Sequence, residues 1–249
     1  MELENEIVYG PVFSRRFGWD LGINLLPAGH KVCSYDCVYC QYGFTPPLIN
    51  NQTSFVSASE VIHEWSRKLT SNADREIRVA HTTISGNGEP TMHPRFPEVV
   101  SGIVAFRDRY YPKIRLSVLS TGYRAGNDEI RRAMEMLDEP VVKFDSVIRE
   151  KQQCLNRPLV PVNLPEMIDD LKKFRKLILQ TMFVHNWNDS VPDLRAWRDA
   201  LLKIKPNSVQ IYTISREPAL KDLQAVKPSF LTELAERTTM VTGIPVYAF

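Results

Sequence analysis

Three cysteines, Cys33, Cys37 and Cys40, fall within eight residues, and the rest of the chain holds only one more, Cys154. Crowding at one point does not suit a disulfide framework, which distributes paired cysteines along a chain. Three thiolates at C-x3-C-x2-C spacing can wrap one small inorganic group, and soft sulfur donors suit an iron–sulfur cluster or zinc. On a four-iron cube, three protein ligands leave the fourth iron open, and an open metal position is where chemistry happens. A structural zinc site is the competing reading, with His30 or Cys154 as fourth ligand. Against zinc, the three-residue gap between Cys33 and Cys37 departs from paired CxxC spacing, and the sequence has no second pair.

Other residues able to do chemistry stand at the ends of strand-like runs. Gly86-Asn87-Gly88-Glu89-Pro90 combines glycines, which permit close backbone approach, with one carboxylate. Ser120-Thr121-Gly122 offers hydroxyls to a ligand, or else caps a helix. Lys143 and Asp145 alternate along a strand end, so both can point into one mouth or pair as a salt bridge. Gln180 and Thr181 either reach a ligand or satisfy one another in the interior. His185, Asn186, Trp187, Asn188 and Asp189 form a polar strand exit suited to a substrate. Tyr212, Arg216 and Glu217 form another, where Arg216 can hold an anionic group or a surface partner. Asn156-Arg157-Pro158 looks like a motif but has no physical role legible in the sequence.

The elements that must position these residues follow a regular rhythm. Strand patterns at Leu21–Leu26, 77–84, 114–119, 141–144, 177–184 and 209–214 alternate with helical stripes. Ser57 with Glu60 and Ser190 with Asp193 have capping-box spacing, and Asn163 is placed to cap a helix carrying Pro165. Trp65, Phe106, Phe174 and Trp197 recur at helical spacing and are expected in the core. Residues 9 to 20 show no clean period and are expected to pack over one end. The tail from Pro245 to Phe249 reads as strand or coil. Six strand–helix alternations predict an α/β fold with a parallel sheet, as a doubly wound sheet or a barrel.

The 249 residues suffice for one sizeable core, and the whole of 1–249 is read as one domain with the cysteine loop at 30–43. Net charge is +2, too small to indicate nucleic acid by itself. Membrane-spanning apolar runs are missing from the sequence, and the acidic N-terminus lacks the regions of a signal peptide. A cytoplasmic, reducing location with no membrane partner is expected, which also suits exposed thiolates.

The cysteine triplet, with Tyr39 immediately before its last member, resembles the signature of the radical S-adenosylmethionine (SAM) enzymes. Gly86 to Pro90 resembles that family's Gly-Gly-Glu-Pro element after the second strand. Tyr9-Gly10-Pro11-Val12 through Arg15-Arg16, Ser85 to His93 and Lys143-Phe144-Asp145-Ser146 resemble the subfamily related to wyosine-forming iron–sulfur oxidoreductases. So do Gln180 to Asp189, and Gln210-Ile211-Tyr212-Thr213 with Arg216 and Pro218. The likeness runs over nearly all of residues 8 to 220.

The resemblance implies a partial (β/α)6 TIM-like barrel and a [4Fe–4S] cluster on Cys33, Cys37 and Cys40. It implies an oxidoreductase that reductively cleaves S-adenosylmethionine to methionine and a 5′-deoxyadenosyl radical, which takes hydrogen from a substrate. Cofactor contacts are implied at Tyr39, Gly86, Asn87, Gly88, Glu89, Ser120, Thr121, Lys143, Asp145, Gln180 and Tyr212. Of these, Gly86 to Glu89 would meet the methionine amino group, Lys143 the methionine carboxylate and Asp145 the ribose. An external one-electron donor is also implied. The substrate is left open between a small molecule, a peptide and an RNA, and a partner protein that receives a radical is a further option. The alternative function is a non-enzymatic iron–sulfur or zinc protein serving electron transfer or interaction.

Overall fold

The computed structural model describes residues 2–14, 16–47, 54–74 and 77–249. Arg15 lies outside the described residues.

Eight strands form one sheet in sequence order: β1 (Val8–Ser14), β2 (Gly18–Ile23), β3 (His81–Ile84), β4 (Arg115–Ser120), β5 (Glu139–Lys143), β6 (Ile178–Phe183), β7 (Ser208–Thr213) and β8 (Val246–Ala248). All neighbouring pairs from β2 to β8 are parallel, and β1 is antiparallel to β2. The sheet curls into a partial TIM-like barrel, as expected. The six anticipated strands are β2 to β7. The wholly parallel sheet needs one correction, because the aperiodic 9–20 stretch supplies β1 and half of a hairpin. Its pattern is broken by a register shift between Tyr9 and Val12, at Pro11, which cannot donate to a ladder. The tail resolves as the short edge strand β8.

Seven helices cover the sheet among the described residues: α1 (Ala58–Asp74), α2 (Phe96–Tyr110), α3 (Asp128–Glu135), α4 (Arg149–Leu155), α5 (Leu164–Leu171), α6 (Val191–Ile204) and α7 (Pro228–Thr242). The anticipated caps form. Ser57 and Glu60 exchange bonds before α1, Asn163 Oδ1 accepts from Glu166 N, and Ser190 with Asp193 makes a reciprocal capping box. Each such cap is worth about 1 kcal/mol. Two tryptophans lock helices to strands. Trp65 Nε1 donates to Thr82 Oγ1 at 3.2 Å, and Trp197 Nε1 to Thr181 Oγ1 at 3.0 Å. Both are buried, and each side chain contributes roughly 1.5–3 kcal/mol by transfer alone.

The two sheet faces differ in chemistry. Leu21, Ile23, Ile84, Leu116, Val118, Val142, Leu179, Val209 and Ile211 join the helix layer in the main core. Strand alternation sends the intervening residues to the inner face, where Asp20, His81, Thr83, Ser117, Glu139, Lys143, Gln180, Gln210 and Tyr212 make a polar lining. The run expected to continue β2 to Leu26 stops at Asn24. Its side chain accepts from Leu26 N at 3.2 Å and donates to Leu26 O at 2.9 Å, folding the chain into a turn. That turn feeds the cysteine loop.

Candidate active site at the C-terminal mouth of the sheet

Parallel strands of an α/β sheet deliver side chains to a common mouth at their C-terminal ends. Here the loop after β2 brings the three cysteines, and the loops after β3 and β4 bring Gly86–Pro90 and Ser120–Gly122. Lys143 and Asp145 leave β5, and Tyr212 lies near the end of β7. No disulfide engages any of the three thiols.

Backbone bonds fix the cysteine loop from several sides. Val32 N donates to Asn87 O at 2.8 Å and Val32 O accepts from Glu89 N at 2.9 Å, so the residue before Cys33 pairs with the β3 exit like a strand. Gly88 sits at φ +135°, and a Cβ there would lie 1.9 Å from Val32 O. Only glycine permits this approach. On the far side Leu159 N donates to Ser34 O at 2.8 Å, Asp36 N to Asn156 O at 3.0 Å and Val38 N to Leu155 O at 3.0 Å. The segment Asn156-Arg157-Pro158 therefore braces the loop.

Glu89 is buried and ties two strand ends together. Its carboxylate accepts from Thr91 Oγ1 at 2.6 Å, Thr91 N at 3.0 Å, Ser120 Oγ at 2.9 Å and Thr121 N at 2.5 Å. Thr121 Oγ1 in turn meets Ser34 Oγ at 3.0 Å beside Cys33. Asn87 has its amide engaged by the N-terminal segment. It donates to Glu4 O at 2.7 Å and Pro27 O at 3.1 Å, and accepts from Glu4 N at 2.7 Å. Gln180 pairs with Gln210 at 3.1 Å, and Arg16 donates to the same Gln210 oxygen at 3.1 Å. Thr181 turns instead to Phe144 O and Trp197, in the helix-facing layer.

Lys143 and Asp145 form the buried salt bridge that the sequence allowed, at 3.2 Å. Lys143 Nζ also donates to Tyr212 OH at 2.5 Å and lies 4.8 Å from the ring centroids of both Tyr39 and Tyr212. Asp145 accepts from Tyr39 OH, from Asn156 Nδ2 at 2.7 Å and from Met182 N at 2.7 Å. Burial pulls the Lys143 ammonium down, but Asp145 and Tyr212 outweigh it, and the group stays charged well above the ordinary lysine range. Burial pushes the Cys33 thiol up, reinforced by Cys37 and Glu89. Burial and then Asp145 push Cys37 up to about 11, against the opposing bonds from Asn156 and Tyr39. Burial thus favours the neutral thiols, and taking up a metal as thiolates would release protons.

The other anticipated residues take local partners. His185 pairs with Asp189 at 2.9 Å, and Asn188 is buried, donating to Asp145 O and Met182 O. Arg216 reaches Gln41 Oε1 at 2.6 Å, next to Cys40. His30 is exposed and bonds Ala28 O, and Cys154 is exposed on α4. Among the described residues no three His, Cys, Asp or Glu side chains, the cysteine triplet included, stand close enough to enclose one metal ion. A zinc ion needs its thiolates about 2.3 Å from a single centre, whereas a four-iron cube takes each thiolate on a different iron.

Three features fit a group of that second kind. The donors are thiols on one braced loop. Nitrogen donors already face two of the sulfurs, with Lys31 Nζ 3.2 Å from Cys40 Sγ and Asn156 Nδ2 3.5 Å from Cys37 Sγ. Among the described residues the buried Tyr35 hydroxyl has no hydrogen-bond partner, and Tyr35 lines a small cavity with Lys143, Asp145 and Asn156. Another cavity, about 500 Å³, lies elsewhere, against Leu69, Val79, Tyr111 and Ile114, and no mouth residue lines it.

Lys31, Tyr35 and Asn156 had no site role from sequence. Lys31 lies two residues from Cys33, but its direction depends on how the loop folds back to Gly43 O, 2.5 Å from Nζ. Asn156 is 119 positions from Cys37, and only its place in the Asn156-Arg157-Pro158 motif hinted at it.

The chain has the fold of the radical SAM enzymes. It superposes on SuiB of Streptococcus suis, bound to its precursor peptide, with a TM-score of 0.65, 14% identity and coverage of 92% of this chain and 48% of that one. A radical SAM methyltransferase from Sphaerobacter thermophilus gives 0.69 at 14% identity, over 92% of this chain and 65% of that one. A TYW1 structure with a lysine–pyruvate adduct gives 0.64 at 13%, over 89% and 73%. The sequence is also 28% identical to the UPF0026 protein slr1464 of Synechocystis sp., covering 96% of this chain and 94% of that protein. It is 26% identical to a protein named GTPase Obg from Brachyspira hyodysenteriae, over 90% of this chain but 32% of that protein's length. A scan against family models finds no match. Among the described residues no helix is long and apolar enough to cross a membrane.

Proposed function

We propose that this protein is a radical SAM enzyme in which Cys33, Cys37 and Cys40 hold a [4Fe–4S] cluster and the neighbouring strand ends receive S-adenosylmethionine. The observation that carries this reading is the braced C-x3-C-x2-C loop lying against Gly88 at the mouth of a parallel part-barrel. The chemistry such a group supplies when bound is one-electron reductive cleavage of S-adenosylmethionine, after which a hydrogen atom is drawn from the substrate. Among proteins of this fold, SuiB has been seen bound to S-adenosylmethionine.

The chain's own residues bind and orient. Lys143, a half-buried cation between two aromatic rings, faces the site with its charge held in place by Asp145 and Tyr212, which suits it to a ligand carboxylate. Tyr39 and Asp145 link that cation to the cysteine loop. Glu89 fixes the β3 exit to the β4 exit, so Gly86–Glu89 and Ser120–Thr121 present one rigid rim to the cofactor. The electron comes from an external one-electron donor.

The test uses oxygen-free protein reconstituted with iron and sulfide, given S-adenosylmethionine and a strong one-electron reductant, with mass spectrometry for 5′-deoxyadenosine and methionine. Both products are expected from the natural protein and neither from Cys33→Ala, Cys37→Ala or Cys40→Ala. A fully loaded cluster that neither binds nor cleaves S-adenosylmethionine overturns the reading.

A further inference from the structure

We propose that Asn156 and Lys31 set the reduction potential of the cluster at the cysteine loop, Asn156 by an N–H donated to Cys37 Sγ and Lys31 by its ammonium against Cys40 Sγ. This rests on the iron–sulfur reading above and assigns a role to two residues outside the cysteine triplet.

The geometry of Asn156 is over-determined. It caps the C-terminus of α4, with its N–H on Gln152 O at 2.8 Å, and it is buried. Its carbonyl accepts from Asp36 N, and the preceding Leu155 O accepts from Val38 N, which sets residue 156 abreast of Cys37. Its Nδ2 faces Asp145 Oδ2 at 2.7 Å, Tyr39 OH at 3.0 Å and Cys37 Sγ at 3.5 Å. An ionised carboxylate only accepts, so the amide end turned to Asp145 is the NH2, and Cys37 Sγ meets the donating end. Asp145 thereby fixes the direction of the donor.

Lys31 is equally enclosed. It is 5% exposed, and its ammonium donates to Gly43 O at 2.5 Å and Cys40 Sγ at 3.2 Å. Among the described residues no carboxylate forms an ion pair with Lys31, so its charge lies directly against the Cys40 sulfur. Away from water the field of that charge is strong.

Cluster potentials respond to net charge and to hydrogen bonds on the sulfurs. Reduction adds one electron and makes the ligand thiolates more negative. A donor or a cation at the sulfur stabilises that reduced form more than the oxidised one and raises the potential. Lys31 carries a full charge and Asn156 a dipole, so Lys31 has the larger effect. Two of the three ligands are tuned in this way, by residues from opposite sides of the loop.

The experiment measures iron and sulfide content first, then the midpoint potential by redox titration followed by electron paramagnetic resonance, on natural protein, Lys31→Met, Lys31→Arg and Asn156→Leu. With cluster content equal to natural protein, Lys31→Met is expected to lower the equilibrium constant for reduction about tenfold or more, about 59 mV for one electron. Asn156→Leu is expected to lower it severalfold, and Lys31→Arg to restore it to near the natural value. The Lys31 pair carries the test if Asn156→Leu loses its fold. A loaded cluster with the same potential in Lys31→Met as in natural protein overturns this inference alone. Natural protein that takes up no iron–sulfur cluster overturns the reading above and this inference with it.

Discussion

The half-barrel has two buried charged layers, and they are built for different ends. At the N-terminal ends of the strands His81 lies between Asp20, 3.3 Å from Nδ1, and Glu139, 3.6 Å from Nε2. Thr83 donates to Asp20 at 2.8 Å, Arg115 pairs with Glu139 at 2.8 Å, and the Phe17 ring stacks on His81 at 3.9 Å. Phe17 thus covers this layer, in which His81 sits between two carboxylates, while its Nε2 and Glu139 Oε2 face each other without a hydrogen bond. At the C-terminal ends Asp145 is buried and Lys143 half-buried, and the pair shares its mouth with three free thiols, glycines at positive φ and nitrogen donors aimed at sulfur. Buried charge alone does not mark a reaction site. What separates the two layers is soft donors held open at a place where the backbone has been stripped of Cβ atoms.

Substitution separates the layers experimentally, and the largest effect lies at the mouth. Replacing Cys33, Cys37 or Cys40 by Ala is expected to bring iron and sulfide content to background, while Cys154→Ala, on the exposed face of α4, leaves it unchanged. Loss of the cluster on Cys154→Ala would remove the distinction drawn here. In the lower layer His81→Leu leaves Asp20 and Glu139 as buried like charges. Breaking such a set costs roughly 3–5 kcal/mol, which for a chain of this size is a fall in Tm of roughly 6–20 °C. The folded variant should load iron normally, and a drop in iron content per folded molecule would show that the layers are not independent.

Gly88→Ala combines the two effects. At a φ of +135° backbone strain alone costs about 1–3 kcal/mol, and the added Cβ must also displace Val32 O. Because Val32 leads into Cys33, cluster uptake should fall along with Tm, a pairing that His81→Leu should not show. The smallest effect is the pH dependence of the lower layer. Burial pulls His81 down, but its bonds and charges with Asp20 and Glu139 push it up, and the net shift is upward. A raised folded value means that its stabilisation is complete below the unfolded pKa of about 6.5 and is lost as pH rises through the folded value. Denaturant titrations of natural protein and His81→Gln should therefore converge with rising pH. A constant gap across that range would refute the charged-imidazole reading.

The layers also differ in how much of them the sequence revealed. The mouth was legible because its chemistry is local: three cysteines in one loop, and Gly86 to Pro90 in one turn. The strands β2 to β7 were legible because their helix-facing residues are apolar and regularly spaced. The lower layer was not, since Asp20, His81 and Glu139 come from three strands and look ordinary in each. The strand β1 was obscured by its register shift at Pro11, and α4 by a sequence, Arg-Glu-Lys-Gln-Gln-Cys-Leu, with no apolar stripe. The contact of Asn156 with Cys37 arises only when the end of α4 and the loop are folded against each other, and that of Lys31 with Cys40 only when the loop folds back on itself.

We propose above that the cysteine mouth holds a cluster with one iron open to S-adenosylmethionine. The most direct test of this is electron paramagnetic resonance of the reduced, reconstituted protein with and without S-adenosylmethionine. The account predicts a [4Fe–4S]⁺ signal that changes shape on adding the ligand and is missing from Cys37→Ala. A strong cluster signal left unaltered by saturating S-adenosylmethionine would contradict it and make this an iron–sulfur protein with no open iron.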